Sequence, residues 1–291
     1  MLLLVPCALC VAACSSARPV IKIGLVAPFE GRYRDVGYEV IYAVRLAVRE
    51  ANARGGVAGH TLELMALDDS GDAALAVEQA RKLGTDPLVV GVIGHWLDET
   101  TTAAAPAYAQ AGLPLLATTG AALPEGAWRL WPDEAALPDD VRRCPSPCGW
   151  LEGTRWLETT RTADPGAAVA GPALWAYPQF VTLAGDLAEG AYVVLPAPLP
   201  AQANDPAFAE RYRAISNGVE PGAYAALAYD AANVLLAAIE ASAAPTRAGV
   251  AEALGTVRHA GLSGTMSFGE SREWVAAAWV YQWRGGVLRA P

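Results

Sequence analysis

The chain has 291 residues, enough for one large or two modest domains at roughly 100–200 residues each. Hydrophobic residues make up 53% and charged residues 18%, which supplies a sizeable core and excludes a globally disordered chain. A formal net charge of −9 argues against nucleic acid as a partner and against docking on anionic lipid headgroups.

Residues 1–13 (MLLLVPCALCVAA) are apolar and uncharged, yet too short to span a bilayer, which is the pattern of a signal peptide removed on export. They end Val11-Ala12-Ala13 before Cys14, a tetrapeptide that resembles a bacterial lipobox, so Cys14 is the expected lipidation site and mature N-terminus. An ordinary signal peptide with an incidental cysteine is the alternative. Cys7 and Cys10 leave with the signal, which leaves Cys144 and Cys148 in Cys-Pro-Ser-Pro-Cys. A disulfide across that loop suits an oxidising compartment. A metal site there would need two further ligands, and His60, His95 and His259 do not stand at zinc-like spacing, so no metal is expected.

From residue 21 the pattern is regular. Residues 21–27 (IKIGLVA) form a strand-like run and 28–37 a polar and aromatic loop. Residues 39–54 carry Val40, Val44, Ala47, Val48 and Ala51 at the helical period, and Gly55-Gly56 ends that helix. Strands follow at 61–67, 88–93 and 113–117, and helices at 73–83 and 99–111. Continuous apolar strands alternating with amphipathic helices imply an α/β fold with a parallel sheet covered on both faces. In such sheets ligands bind outside the carboxyl ends of the strands. That rule selects the loops 28–36, 68–72, 94–99 and 118–122, beside helix N-termini whose unpaired N–H groups favour anions. Residues 121–170 are rich in Pro and Trp and show no clear strand, although 153–160 fits a helix. Order returns at 180–184 and in a strand at 191–195; Pro196, Pro198 and Pro200 then form a stiff crossing. Helices follow at 205–216, 223–241 and 247–254, and closing strands at 265–268 and 275–283. The apolar run at 223–241 is broken by Asp230 and Glu240 and reads as a helix of a globular domain.

Seven stretches carry a family resemblance: 21–29 (IKIGLVAPF), 51–60 (ANARGGVAGH), 67–72 (LDDSGD), 92–95 (VIGH) with 100–111, 112–119 (GLPLLATT), 183–194 (LAGDLAEGAYVV) and 221–238 (PGAYAALAYDAANVLLAA). In this order, over most of 20–135 and 171–291, the chain resembles the leucine/isoleucine/valine-type family of type I periplasmic binding proteins. The resemblance implies doubly wound parallel sheets in two lobes, joined by a hinge the chain crosses three times. Lobe one would comprise 20–120 plus 201–256, and lobe two 121–200 plus 257–291. It implies a monomer without a cofactor that closes on a small polar solute, an amino acid, amide or related compound, and delivers it to an ABC permease in the membrane. The segment 136–170 is short by roughly two βα units, at a dozen or more residues per parallel crossover, so lobe two is expected to be reduced. That shortening leaves a second reading, a sensory or protein-interaction module with the same fold that no longer serves transport.

The family's amino-acid binders present small hydroxyl residues after the third strand, and a small residue with a threonine after the fourth. The matching positions here are Asp98 and Glu99, then Gly120 and Ala121, while the ammonium-binding acid falls near Ala173 or Leu174. The acidic pair would repel a carboxylate and favour a cation or a polyol. The expected ligand contacts are Phe29, Tyr33, Trp96, Asp98, Thr119, Gly120, Ala121, Trp175 and Tyr177. Each has a plainer reading: buried core for the aromatics, and a first-turn acid favoured by the helix dipole for Asp98 and Glu99. Asp68 and Asp69 read as a helix-start turn and His95 as a structural histidine. The chain carries no Gly-x-Ser-x-Gly, Walker A, His-Glu-x-x-His or dinucleotide fingerprint, and is read as not an enzyme.

Overall fold

A computed structural model describes residues 18–120, 123, 126–131, 137–274 and 278–291. The leader with Cys14, the Ala121 position and the start of the strand expected at 275–283 lie outside the described residues. The first unit alternates β1 (Val20–Ala27), α1 (Arg34–Ala53), β2 (Thr61–Asp68), α2 (Ala73–Thr85), β3 (Val89–Ile93), α3 (Asp98–Gln110) and β4 (Leu115–Ala117), and adds β5 (Trp128–Arg129). All five strands are parallel, in the order β2-β1-β3-β4-β5. β3 and β4 are buried along their whole length, as strands covered on both faces must be.

Local chemistry fixes the ends of these elements. The Asp72 side chain accepts the Leu75 N–H at 2.8 Å and caps α2. After α1, Gly55 and Gly56 adopt φ of 109° and 85°, and the Gly56 N–H closes on the Ala51 carbonyl at 3.0 Å. α1 begins five residues before the expected 39, because Val36, Gly37 and Glu39 are buried and the packed face starts there.

The second unit holds β6 (Arg142–Arg143), α4 (Trp150–Ala163), β7 (Val169–Gly171), a 3-10 turn (Ala173–Ala176), α5 (Pro178–Ala184) and β8 (Tyr192–Leu195). The chain then returns through α6 (Phe208–Ile215), α7 (Ala225–Ala241), α8 (Arg247–Leu254) and a hairpin of β9 (Arg258–Gly261) and β10 (Gly264–Ser267). It ends in β11 (Trp279–Arg284) and β12 (Val287–Arg289). The second sheet runs β12-β11-β8-β7-β6 and is mixed: β6, β7 and β8 are parallel, while β11 is antiparallel to both its neighbours.

α2 and α3 cover one face of the first sheet over Val26, Ala76, Leu83, Val92 and Tyr108. α1 and α7 cover the other, where the core runs on into the second unit. The chain passes between the units three times: between β5 and β6, between β8 and α6, and between the 272–274 segment and β11. β5 pairs with β4, and the β9–β10 hairpin packs on α7, although the sequence reading groups 121–200 with 257–291. A two-residue strand such as β5 or β6 is too short to show periodicity, and its sheet is chosen only by tertiary pairing.

Candidate functional site

A cavity of about 560 Å³ lies between the carboxyl ends of the two sheets. Each of the four loops selected from the first sheet contributes to its wall: Tyr33, Gly71, the run Trp96 to Glu99, and Thr119 with Gly120. The second sheet adds Arg143 at the end of β6 with Cys144, Ser146, Pro147, Cys148 and Gly149 after it, and Ala170 and Gly171 of β7 with Pro172 and Leu174 after it. Cys144 and Cys148 form a disulfide with their Cα atoms 6.1 Å apart, and it rims the cavity.

The support beneath Trp96 is a buried polar network. His95 Nδ1 lies 2.6 Å from Asp69 Oδ2 and His95 Nε2 lies 3.1 Å from the Tyr108 hydroxyl, all three side chains being inaccessible. The Thr118 hydroxyl donates to the His95 carbonyl at 2.6 Å. These bonds lock the β3–α3 and β4–β5 loops together, so His95 is structural and lies behind the wall rather than in it. Asp68 does the same for the first two loops, accepting N–H groups of Phe29 at 2.7 Å and Ser70 at 2.8 Å.

Of the residues expected at the ligand, Tyr33, Trp96, Asp98, Thr119 and Gly120 line one cavity. Three do not. Phe29 packs edge-on against Tyr38, with ring centroids 6.3 Å apart. Trp175 is fully buried in the second unit, stacked on Phe180 at 4.3 Å and seated over Gly153 and Gly171, where any Cβ would strike its indole. Tyr177 is buried between Trp150 and Tyr224 and donates its hydroxyl to Glu39 Oε2 at 2.6 Å. Each sits where the chain turns toward the cleft, but its ring meets apolar neighbours before it reaches the cavity.

The wall also holds residues that the sequence reading passed over, Arg129, Trp131, Arg143 and Tyr224, and it includes Leu174 where the family's ammonium-binding acid falls. Among the described residues, the Asp, Glu and Arg side chains lining it are Asp98, Glu99, Arg129 and Arg143, so the acidic pair does not stand alone. Arg129 pairs with Glu273 and donates to the Gly120 carbonyl at 3.4 Å. Burial, then the negative charge of Asp98, hold the Tyr224 hydroxyl protonated well above its ordinary range. The run Trp128-Arg129-Leu130-Trp131 carries no clear strand period and sits in proline-rich sequence, so β5 and its Arg129 are not legible from it.

Contacts from both units bridge the cleft. Ser146 Oγ donates to Asp98 Oδ2 at 3.0 Å, Arg32 pairs with Glu152 at 3.0 Å, and Gln179 donates to Asp35. The Tyr33 ring lies 5.0 Å from Trp150, and a Cβ on Gly149 would meet the Tyr33 hydroxyl. The buried member of this set is Glu39, which accepts the Tyr224 N–H at 2.6 Å as well as the Tyr177 hydroxyl.

A family model described as periplasmic binding protein matches residues 20–132 and 154–287. The Leu/Ile/Val-binding protein of Escherichia coli strain K12 is 32% identical over 105 residues, which is 36% of this chain and 28% of that protein. The matched stretch thus spans under a third of the curated relative's length. Among solved structures, a branched-chain amino acid transporter substrate binding protein from Streptococcus pneumoniae in complex with isoleucine superposes with a TM-score of 0.76 at 20% identity, over 93% of this chain and 98% of that one. A solute binding protein from R. palustris in complex with benzoate gives 0.70 at 16% identity, over 93% and 95%. At these identities the likeness is one of fold.

Proposed function

The chain belongs to the periplasmic binding protein family, and from that premise we propose that it is an extracytoplasmic solute-binding protein that closes two lobes on a small ligand and hands it to an ABC permease. The observation that carries this reading is the 560 Å³ cavity at the carboxyl ends of both sheets, walled by loops of each lobe and bridged by Asp98–Ser146 and Glu39–Tyr177. Its size falls within the range of small-molecule sites. The solved relatives' ligands, isoleucine and benzoate, are of a size to suit it. In this reading the 1–13 leader is cleaved and Cys14 carries the lipid that holds the protein at the membrane. Tyr33, Trp96, Asp98, Thr119, Gly120 and the neighbouring Ala121 meet the ligand.

The test is thermal unfolding of the mature chain with amino acids, amides, polyamines, sugars and organic acids. A ligand at a hundred times its Kd adds about 2.7 kcal/mol of stability, a shift of several degrees for a chain of this size. Binding to a protein partner with no small-molecule shift would overturn the transport reading in favour of a sensory or interaction module. Intact mass of the membrane-extracted protein tests the anchor: an unmodified Cys14 removes it.

A further inference from the structure

The second lobe brings one short strap to the rim of the cavity, Cys144-Pro145-Ser146-Pro147-Cys148, closed on itself by the disulfide. Its two ends differ. Cys144 follows β6, an exposed two-residue strand at the edge of its sheet. Cys148 is buried and leads through Gly149 into Trp150, which is 3% exposed and donates its indole N–H to the Leu174 carbonyl at 2.7 Å. The disulfide therefore fastens a weak sheet edge to a fixed point in the core of the lobe.

Little else holds the strap. Pro145 and Pro147 have no N–H to donate. Among the described residues, no backbone–backbone hydrogen bond involves 145–148. Ser146 stands between the two prolines and is exposed, yet its hydroxyl donates across the cleft to Asp98 Oδ2 at 3.0 Å. A loop free to move loses conformational entropy when it makes such a bond, whereas a loop already closed has less to lose. The disulfide thus presents Ser146 to the first lobe. Cys144 is only partly buried, so a small reductant can reach the bond. Disulfides form in oxidising extracytoplasmic compartments, while thiols in the cytosol are kept reduced, and exposed disulfides are the ones open to thiol exchange.

We propose that the Cys144–Cys148 strap is a redox latch on the cleft: oxidised, it holds Ser146 against Asp98 and the cleft binds its solute; reduced, it lets go and affinity falls, so that the chain becomes competent to bind only after export. Reduction by a dithiol transfers two electrons and two protons. The Cys144–Cys148 bond breaks, two thiols form, and the dithiol closes into its own disulfide. The latch rests on the solute-binding reading.

The experiment uses the soluble mature chain with Cys14→Ser, so that Cys144 and Cys148 are its only cysteines, in oxidised, dithiothreitol-reduced and reoxidised forms. Each form is titrated calorimetrically with isoleucine and with benzoate, and its unliganded radius of gyration is measured by small-angle scattering. The expected result is that reduction weakens the probe that binds by about tenfold or more and enlarges the radius, and that reoxidation restores both. The double variant Cys144→Ser, Cys148→Ser should behave as the reduced form under all conditions. Ser146→Ala separates a latch from a general staple: it is expected to weaken binding about fivefold in the oxidised protein and to add nothing in the reduced one. Equal affinity in the oxidised and reduced forms overturns the proposal. So does a Ser146→Ala effect of the same size in both, or a loss of native circular dichroism on reduction, which would make the disulfide a staple of the whole lobe. Where neither probe binds, the radius alone decides the latch, an unchanged value overturning it, and the solute-binding reading stands or falls on its own wider set of compounds.

Discussion

Glu39 is a carboxyl group in the wrong solvent. It is buried where α1 meets the start of α7 and the second lobe, and burial lifts its pKa from 4.5 to about 7, although hydrogen bonds from Tyr177 and Tyr224 work to lower it. The nearby titratable groups are Tyr177, Tyr224 and Tyr212, whose hydroxyl donates to the Glu39 carbonyl, with Asp35 one turn earlier. Because the folded value lies above the ordinary one, the native state holds the proton more tightly between pH 4.5 and 7. Its stabilising contribution is present below pH 4.5 and is lost as pH rises to 7, by up to about 3 kcal/mol. Asp230, raised to about 6 by burial, acts in the same direction, while His259, lowered by burial, opposes it. Glu39→Gln mimics the protonated acid. Urea unfolding from pH 5 to 8 is expected to show a smaller fall for Glu39→Gln than for the parent, with the variant the more stable of the two at pH 8.

Among the elements, the second lobe depends on glycine where a strand and a helix approach one tryptophan. Gly171 at the end of β7 and Gly153 in α4 both face Trp175, whose ring is stacked on Phe180 of α5. Gly171→Ala forces the Trp175 indole off its seat and is expected to cost about 1–3 kcal/mol in chemical denaturation, as overpacking does. Gly149 is the buried residue before α4, where Tyr33 crosses from the first lobe. Gly149→Ala sets the added carbon against both the Tyr33 hydroxyl of the first lobe and Glu152 of its own, so it is expected to weaken ligand binding as well as to cost about 1–3 kcal/mol in denaturation. Comparing denaturation with titration separates the two glycines.

For the whole molecule the question is which contacts between the lobes govern closure. Arg32–Glu152 is exposed on both sides, and Asp35–Gln179 is exposed as well. Such surface pairs are worth about 0–1 kcal/mol and are screened by salt. Tyr177–Glu39 is buried and leaves an unpaired carboxyl oxygen when broken. Arg32→Ala is therefore expected to change affinity less than about fivefold, the equivalent of that energy. Tyr177→Phe should shift the unliganded protein toward a more open form. Small-angle scattering reads this directly as a larger radius of gyration that ligand reverses only in part; an unchanged radius would show that closure is set elsewhere.

Much of the first lobe could be read without coordinates. Residues 20–117 carry long apolar strands, amphipathic helices and glycine stops, and these local patterns fix element type, order and the loops that line the cavity. Tyr33, Trp96, Asp98, Thr119 and Gly120 were identifiable on that ground alone, because a parallel sheet puts all its strand ends on one side. The sequence could not show which way a side chain turns after the strand. Trp175 and Tyr177 stand at equivalent places in the second lobe, yet one fills the core and the other seals the hinge. Nor could it place Arg129 and Arg143, because β5 and β6 are two residues long and become strands only by pairing with β4 and β7. A short strand's partner, a ring's direction and a cavity's charge balance are set by segments far apart in the chain, so only the tertiary structure decided them.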